Sequence, residues 1–165
     1  MKILVLSDSH SSRAFMRSCI DKVKPEHIVH LGDLYEDGEV IADAYPHIRI
    51  HQVPGNCDSF SGVANGPAIL CYCIDGVKIY MTHGHLHSVK NGLDRLLLAA
   101  RNEEAQIVLY GHTHQKDYHR EADGLYVLNP GSCRGYGGSA GLIEVENGRV
   151  VSCGFVSQED LLADS

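Results

Sequence analysis

The chain has 165 residues, with 14 Lys and Arg against 21 Asp and Glu and a formal charge of −7. Hydrophobic types make up 44% and charged types 21%, the composition of a soluble globular protein of one domain. No apolar run approaches the roughly 20 residues of a membrane span, and the acidic balance argues against non-specific binding to nucleic acid or membranes.

MKILVLSDSH opens the chain and reads as a first strand over Ile3–Leu6, not as a signal peptide, so a cytoplasmic location is expected. Its continuous apolar run suits a strand buried on both faces. Residues 11–23 follow with helical spacing at Phe15, Met16, Cys19, Ile20 and Val23, stopped by Pro25. Strands are predicted at 28–31, 48–53, 69–74, 77–81 and 107–110, and a short helix at 38–45. Asp75-Gly76 and Asn147-Gly148 are two-residue hairpin signals. A second helix is predicted over 89–101, with Leu93, Leu96, Leu97 and Ala100 on its buried face. Segments 125–128, 142–145 and 150–155 read as antiparallel strands, and 157–165 as a short polar tail. The sum is one α/β domain over 1–165, with mixed sheets, more strand than helix, and helices outside.

The six cysteines include no C-x-x-C pair, and Cys71 and Cys73 alternate along one strand. Reduced buried thiols are therefore expected, rather than a zinc ribbon or a disulfide framework. Phe15, Met16 and Phe60 read as core; the other reading is a patch for a homo-oligomer.

The 11 histidines and 17 glycines are more informative. Five predicted strands each deliver a ligand-type residue just past the C-terminal end. They lead into Asp8-Ser9-His10, Gly32-Asp33, Gly55-Asn56-Cys57-Asp58, His83-Gly84-His85 and Gly111-His112-Thr113-His114. That rim is where open α/β sheets build binding sites. In an extended chain residues i and i+2 face the same side, so Asp8 would aim with His10, and His112 with His114. Asp8, His10, Asp33, Asn56, His83, His112 and His114 form a mixed oxygen and nitrogen donor set, too many for one tetrahedral zinc. They suit two divalent ions, the clamp used for in-line displacement at phosphorus. Such ions outweigh the distant surface charge, so an anionic substrate is compatible with the acidic chain.

The ordered set D-x-H, G-D, G-N-C-D, H-G-H, G-H-T-H and N-P-G-S, at 8–10, 32–33, 55–58, 83–85, 111–114 and 129–132, resembles the calcineurin-like metallophosphoesterases, specifically their small bacterial and archaeal phosphodiesterase branch. The resemblance implies a four-layer α+β fold, two mixed sheets packed as a sandwich and flanked by helices. It implies that Asp8, His10, Asp33 and His114 hold one metal, and that Asp33, Asn56, His83 and His112 hold the other. Manganese is the ion it suggests, with Fe, Ni, Zn or Co as substitutes. The implied activity is hydrolysis of a small phosphodiester by a metal-bridging water or hydroxide, with Asn56 helping to neutralise the phosphoryl oxygens.

One position departs from the pattern. Many relatives have His after the Asn of G-N-H, and this chain has Cys57. A neutral thiol is a poor substitute for an imidazolium, so activated diesters are the expected substrates. Asp58 and His85 are candidates for ligand orientation or substrate contact. The remaining histidines, His27, His30, His47, His51, His87 and His119, carry no motif and read as structural or surface groups. Two other functions compete. A non-catalytic scaffold of the same fold, as in a eukaryotic trafficking subunit, would bind protein partners. A nuclease would want a basic groove, which this chain lacks.

Overall fold

The computed structural model describes residues 1–9, 13–33, 35–55, 68–133 and 138–157, apart from the side chains of Tyr35 and Glu36. In chain order the strands and α-helices are β1 (Lys2–Leu6), α1 (Arg13–Val23), β2 (His27–His30), α2 (Tyr35–Ala44), β3 (Arg49–Gln52), β4 (Ile69–Ile74), β5 (Val77–Thr82), α3 (Asp94–Asn102), β6 (Ile107–Leu109), β7 (Asp117–Arg120), β8 (Tyr126–Asn129), β9 (Ser139–Glu146) and β10 (Arg149–Ser157). Two 3₁₀ turns, His85–His87 and Val89–Asn91, lie between β5 and α3. Among the described residues no helix is long and apolar enough to cross a membrane.

The strands form two five-stranded sheets, ordered β10-β9-β1-β2-β3 and β4-β5-β6-β8-β7. In the first, β1-β2-β3 run parallel with β3 at the edge, and β9 and β10 add antiparallel beside β1; in the second, β5-β6-β8 form a parallel centre between antiparallel edges β4 and β7. Alternation along β1 divides the core. Ile3 and Val5 face the second sheet and pack with Val29, Leu31, Ile79, Met81, Ile107 and Leu109. Leu4 and Leu6 face the other way and pack under Phe15, Met16, Cys19 and Ile20 of α1 and Ile41 of α2. Outside the second sheet, Tyr80, Val108 and Val127 pack against Val89 and against Leu96, Leu97 and Ala100 of α3. The expected helix–sheet–sheet–helix layering is the one observed.

Both hairpin signals hold. Asp75 and Gly76 have φ of 47° and 83°, and Asn147 and Gly148 have 50° and 80°, the left-handed pairs that two-residue turns require. The turns come from different sheets and touch, with the Gly148 N–H donating to the Asp75 carbonyl at 2.8 Å.

Several expectations need correction. The helix predicted over 89–101 is split, because Gly92 sits at φ 131° and only Asp94–Asn102 is α-helical. The strand at 126–129 is antiparallel to β7 but parallel to β6. Strand β7 itself, Asp-Tyr-His-Arg, has no apolar run to announce it and is defined by its pairing with β8. Of the described cysteines, Cys19 and Cys133 are buried, whereas Cys73 is exposed on the outer face of edge strand β4. Burial pushes the Cys19 thiol up to about 12, with Lys22 opposing, so it is inert at neutral pH. Phe15 and Met16 are core; Phe60 and the tail from 158 lie outside the described residues.

Buried His27 and His51 line the gap between the sheets at one edge. His27 Nδ1 lies 3.2 Å from His51 Nε2, and the His51 ring is 4.7 Å from that of Tyr72 in the opposite sheet. Desolvation, helped by His27 and Arg49, pushes His51 down to about 4. The unfolded chain therefore takes up a proton at a higher pH, about 6.5, than the folded one. Stability is expected to fall as pH drops from about 6.5 to about 4, and His51→Phe should reduce that slope while keeping a ring against Tyr72. Urea unfolding of both proteins across this window is the measurement; identical slopes would remove His51 as the cause.

Candidate metal centre

The parallel strands end together, and the residues after them turn sharply inward. The Asp8 N–H donates to the Gly32 carbonyl at 2.9 Å, and the Gly111 N–H to the His83 carbonyl at 2.8 Å. These bonds tie β1 to β2 and β5 to β6 just beyond their ends. Asp8, Asp33, His112 and His114 have φ of 52°, 47°, 71° and 63°. Left-handed backbone at non-glycine residues is costly and clusters at functional sites. It also corrects the extended i, i+2 picture: His112 and His114 do not converge by strand alternation. His112 Nδ1 approaches His83 Nε2 at 3.2 Å, and His114 Nε2 approaches Asp8 Oδ1 at 3.2 Å.

Asp8, Asp33 and His83 are buried, with ligand atoms all within 4.8 Å of one another. His83 Nδ1 lies 2.7 Å from the Leu31 carbonyl, which can only accept, so Nδ1 carries the proton. In the neutral ring Nε2 then offers a lone pair, and it lies 3.2 Å from His112 Nδ1, 3.5 Å from Asp33 Oδ2 and 3.7 Å from Asp8 Oδ1. The Asp8 carboxylate is used unevenly. Oδ2 accepts from Ser7 Oγ at 2.7 Å and from the His112 N–H at 3.1 Å. Oδ1 is buried and has no hydrogen bond among the described residues.

Burying an ion costs several kcal/mol, and a hydrogen bond to a charged group returns about 1.5–3 kcal/mol. Oδ1 receives none of that. A proton on His83 would serve one acceptor and leave the rest facing one another. Divalent cations seated among Asp8 Oδ1, Asp33 Oδ2 and His83 Nε2 would satisfy these atoms, so the residues present fit metal binding. Burial, assisted by His83 and Lys90 and opposed by Asp8, holds the His112 imidazole below its usual range, in the neutral form that ligates.

Of the seven expected donors, Asp8, Asp33, His83, His112 and His114 are thus brought to one rim. His10 and Asn56 lie outside the described residues, as do Cys57 and Asp58. The His85 ring lies 5.5 Å from that of His83 and 6.2 Å from that of His112, beside the cluster. His87 ties its 3₁₀ turn to the sheet, with Nε2 3.1 Å from Tyr80 Oη. His119 pairs with Asp117 and Glu121 at the surface.

Three supports escaped the sequence reading. Ser7 aims Asp8. Asn129 of N-P-G-S donates to the Gly111 carbonyl at 3.3 Å and to Thr113 Oγ1 at 3.0 Å, holding the G-H-T-H loop from beneath. Ser132 Oγ donates to the Asp8 carbonyl at 2.8 Å. The N-P-G-S motif was the available signal, but a turn and a brace look alike in sequence.

A profile of the calcineurin-like phosphoesterase superfamily domain matches residues 1–148. The chain belongs to this family. It is 29% identical to a phosphodiesterase of Methanocaldococcus jannaschii over 150 residues, 82% of this chain and 86% of that protein. Among solved structures it is similar to a conserved protein of Streptococcus pneumoniae described as a predicted phosphoesterase, with a TM-score of 0.75, 30% identity, and coverage of 96% of this chain and 90% of that one. It is also similar to a single mutant of vacuolar protein sorting 29 from Entamoeba histolytica, with a TM-score of 0.71, 25% identity, and coverage of 95% and 99%.

Close packing leaves no room beside the donors. A Cβ at Gly111 would sit 2.1 Å from Ser7 Oγ and 3.0 Å from Asp8 Oδ2. Gly111→Ala is expected to weaken Mn2+ binding at least tenfold with the circular dichroism spectrum preserved. Calorimetric titration checks this, and wild-type affinity would show that Asp8 tolerates displacement.

Proposed function

We propose that this chain, as a single domain over residues 1–165, is a dinuclear-metal-dependent phosphodiesterase acting on small activated phosphodiesters. The observation that carries the reading is the buried Asp8 Oδ1, left without a hydrogen bond and facing Asp33 and His83 at the strand ends. Membership of the phosphoesterase family and the relative named a phosphodiesterase support the reaction class.

In this reading Asp8, His10, Asp33 and His114 hold one ion, and Asp33, Asn56, His83 and His112 the other, with manganese the preferred metal. The ions would supply an activated water nucleophile and charge neutralisation at phosphorus. The protein's own part is positional. Asp33 joins the two halves of the donor set. The Leu31 carbonyl keeps the His83 proton on Nδ1, so Nε2 is presented bare. Ser7 and the His112 N–H hold Asp8 Oδ2 back, so Oδ1 is presented. Asn56 would help to neutralise the phosphoryl oxygens of the substrate, and His85 lies beside His83 and His112.

The experiment is hydrolysis of bis(p-nitrophenyl) phosphate with added Mn2+, alongside metal analysis of the protein. Wild type should be stimulated by Mn2+, and Asp33→Asn should lose at least a hundredfold in kcat/KM. A wild type inactive with every divalent ion overturns the reading and favours a non-catalytic scaffold that binds protein partners.

Cys57 sets the leaving-group preference. A thiol near pKa 8.5 donates a proton poorly at neutral pH, so good leaving groups are needed. Cys57→His should raise turnover of phenyl phosphate, a monoester with a poorer leaving group, several-fold relative to p-nitrophenyl phosphate; an unchanged ratio would count against that role.

A further inference from the structure

Behind the two carboxylates lies a buried polar chain that no catalytic role accounts for. The Gly32 N–H donates to His30 Nδ1 at 3.2 Å. An N–H can only donate, so His30 carries its own proton on Nε2, which lies 3.0 Å from Ser9 Oγ. The Ser9 hydroxyl then donates onward to Asp37 Oδ2 at 2.5 Å, a charge-assisted bond. Asp37 Oδ1 accepts from Arg13 Nε at 3.0 Å. In these bonds the donor at each step is fixed, so the chain runs in a single direction from the Gly32 amide to the Asp37 carboxylate.

Its ends are informative. Gly32 precedes Asp33, and Ser9 follows Asp8. Ser9, His30 and Asp37 have no exposed surface, and Asp37 is delivered by α2, Arg13 by α1. The chain therefore couples two donor-bearing turns to two helices. We infer that His30 is a positioning residue for the metal centre, a strut that fixes Asp33 relative to Asp8 through the Gly32 amide on one side and Ser9–Asp37 on the other. This rests on the reading of Asp8 and Asp33 as metal ligands. Neither His30 nor Ser9 needs to touch the ion.

The test measures Mn2+ binding, through loss of the electron paramagnetic resonance signal of free Mn2+, beside urea unfolding of the metal-free proteins. His30→Phe fills the space and breaks both bonds; its Kd for Mn2+ should rise at least tenfold in protein that is still folded. His30→Gln can still reach Ser9, and His30→Asn can still accept from Gly32, so each should recover part of the affinity. Ser9→Ala, which cuts the strut while leaving the imidazole in place, should weaken binding several-fold and carries the test if His30→Phe fails to fold. Wild-type affinity in Ser9→Ala together with either His30→Phe or His30→Gln overturns the strut, as does an affinity loss no larger than the unfolded fraction explains. A wild type that binds Mn2+ without hydrolysing diesters removes the proposed activity and leaves the strut standing; one that binds no Mn2+ removes both.

Discussion

Two carboxylates at the ends of neighbouring parallel strands, buried and close to one another, are the constraint around which this molecule is arranged. Asp8 and Asp33 are nearly inaccessible to water, and like charges in such a place repel. Among the described residues no Lys or Arg pairs with Asp8. The surroundings bring up instead imidazole nitrogens, and hydrogen bonds that hold Asp8 Oδ2 and leave Oδ1 presented. Such an arrangement is favourable only with positive charge at its centre.

The backbone is shaped for the same end. At the rim the strands approach so closely that side chains are excluded: a Cβ at Gly32 would lie 2.4 Å from the Gly55 nitrogen, and one at Gly55 would lie 2.1 Å from Asp33 Oδ1. Gly32 also takes φ 103°, a conformation that L side chains rarely adopt. The parallel strands of both sheets point their C-terminal ends to this rim, so first-sheet β1 and β2 and second-sheet β5 and β6 supply donors to one place. Sandwich packing thereby becomes site geometry: Leu31 and Met81 are packed in the same inter-sheet core that precedes Asp33 and His83.

Much of this was legible in the sequence because the signals were local. Apolar runs marked the strands, Asp-Gly and Asn-Gly marked the hairpins, and the ordered motifs marked the donors. What was not legible depended on pairing across the fold. Strand β7 has an alternating polar sequence and exists through β8. The helix after His85 starts late because Gly92 breaks it. His30 read as an ordinary structural histidine, since nothing in IVHLGD reveals that its ring reaches Ser9, 21 residues away in sequence. Asn129 was hidden for the same reason: it acts on Gly111 and Thr113, brought close only by folding.

The donor arrangement also bears on the choice between an enzyme and a scaffold. A binding surface built on this sandwich needs the two sheets and the helices, all of which rest on apolar packing remote from the rim. It gains nothing from left-handed Asp8, Asp33, His112 and His114, each costing of order 1–3 kcal/mol, or from a buried carboxylate oxygen without a hydrogen bond. Replacing such groups with apolar residues of similar size is often neutral or stabilising. Against a total stability of about 5–15 kcal/mol, costs of this size are large. A sandwich whose strained, charged rim had no chemistry to perform would be more stable without it, and the sequence carries a ligand-type residue at all seven positions expected from its motifs.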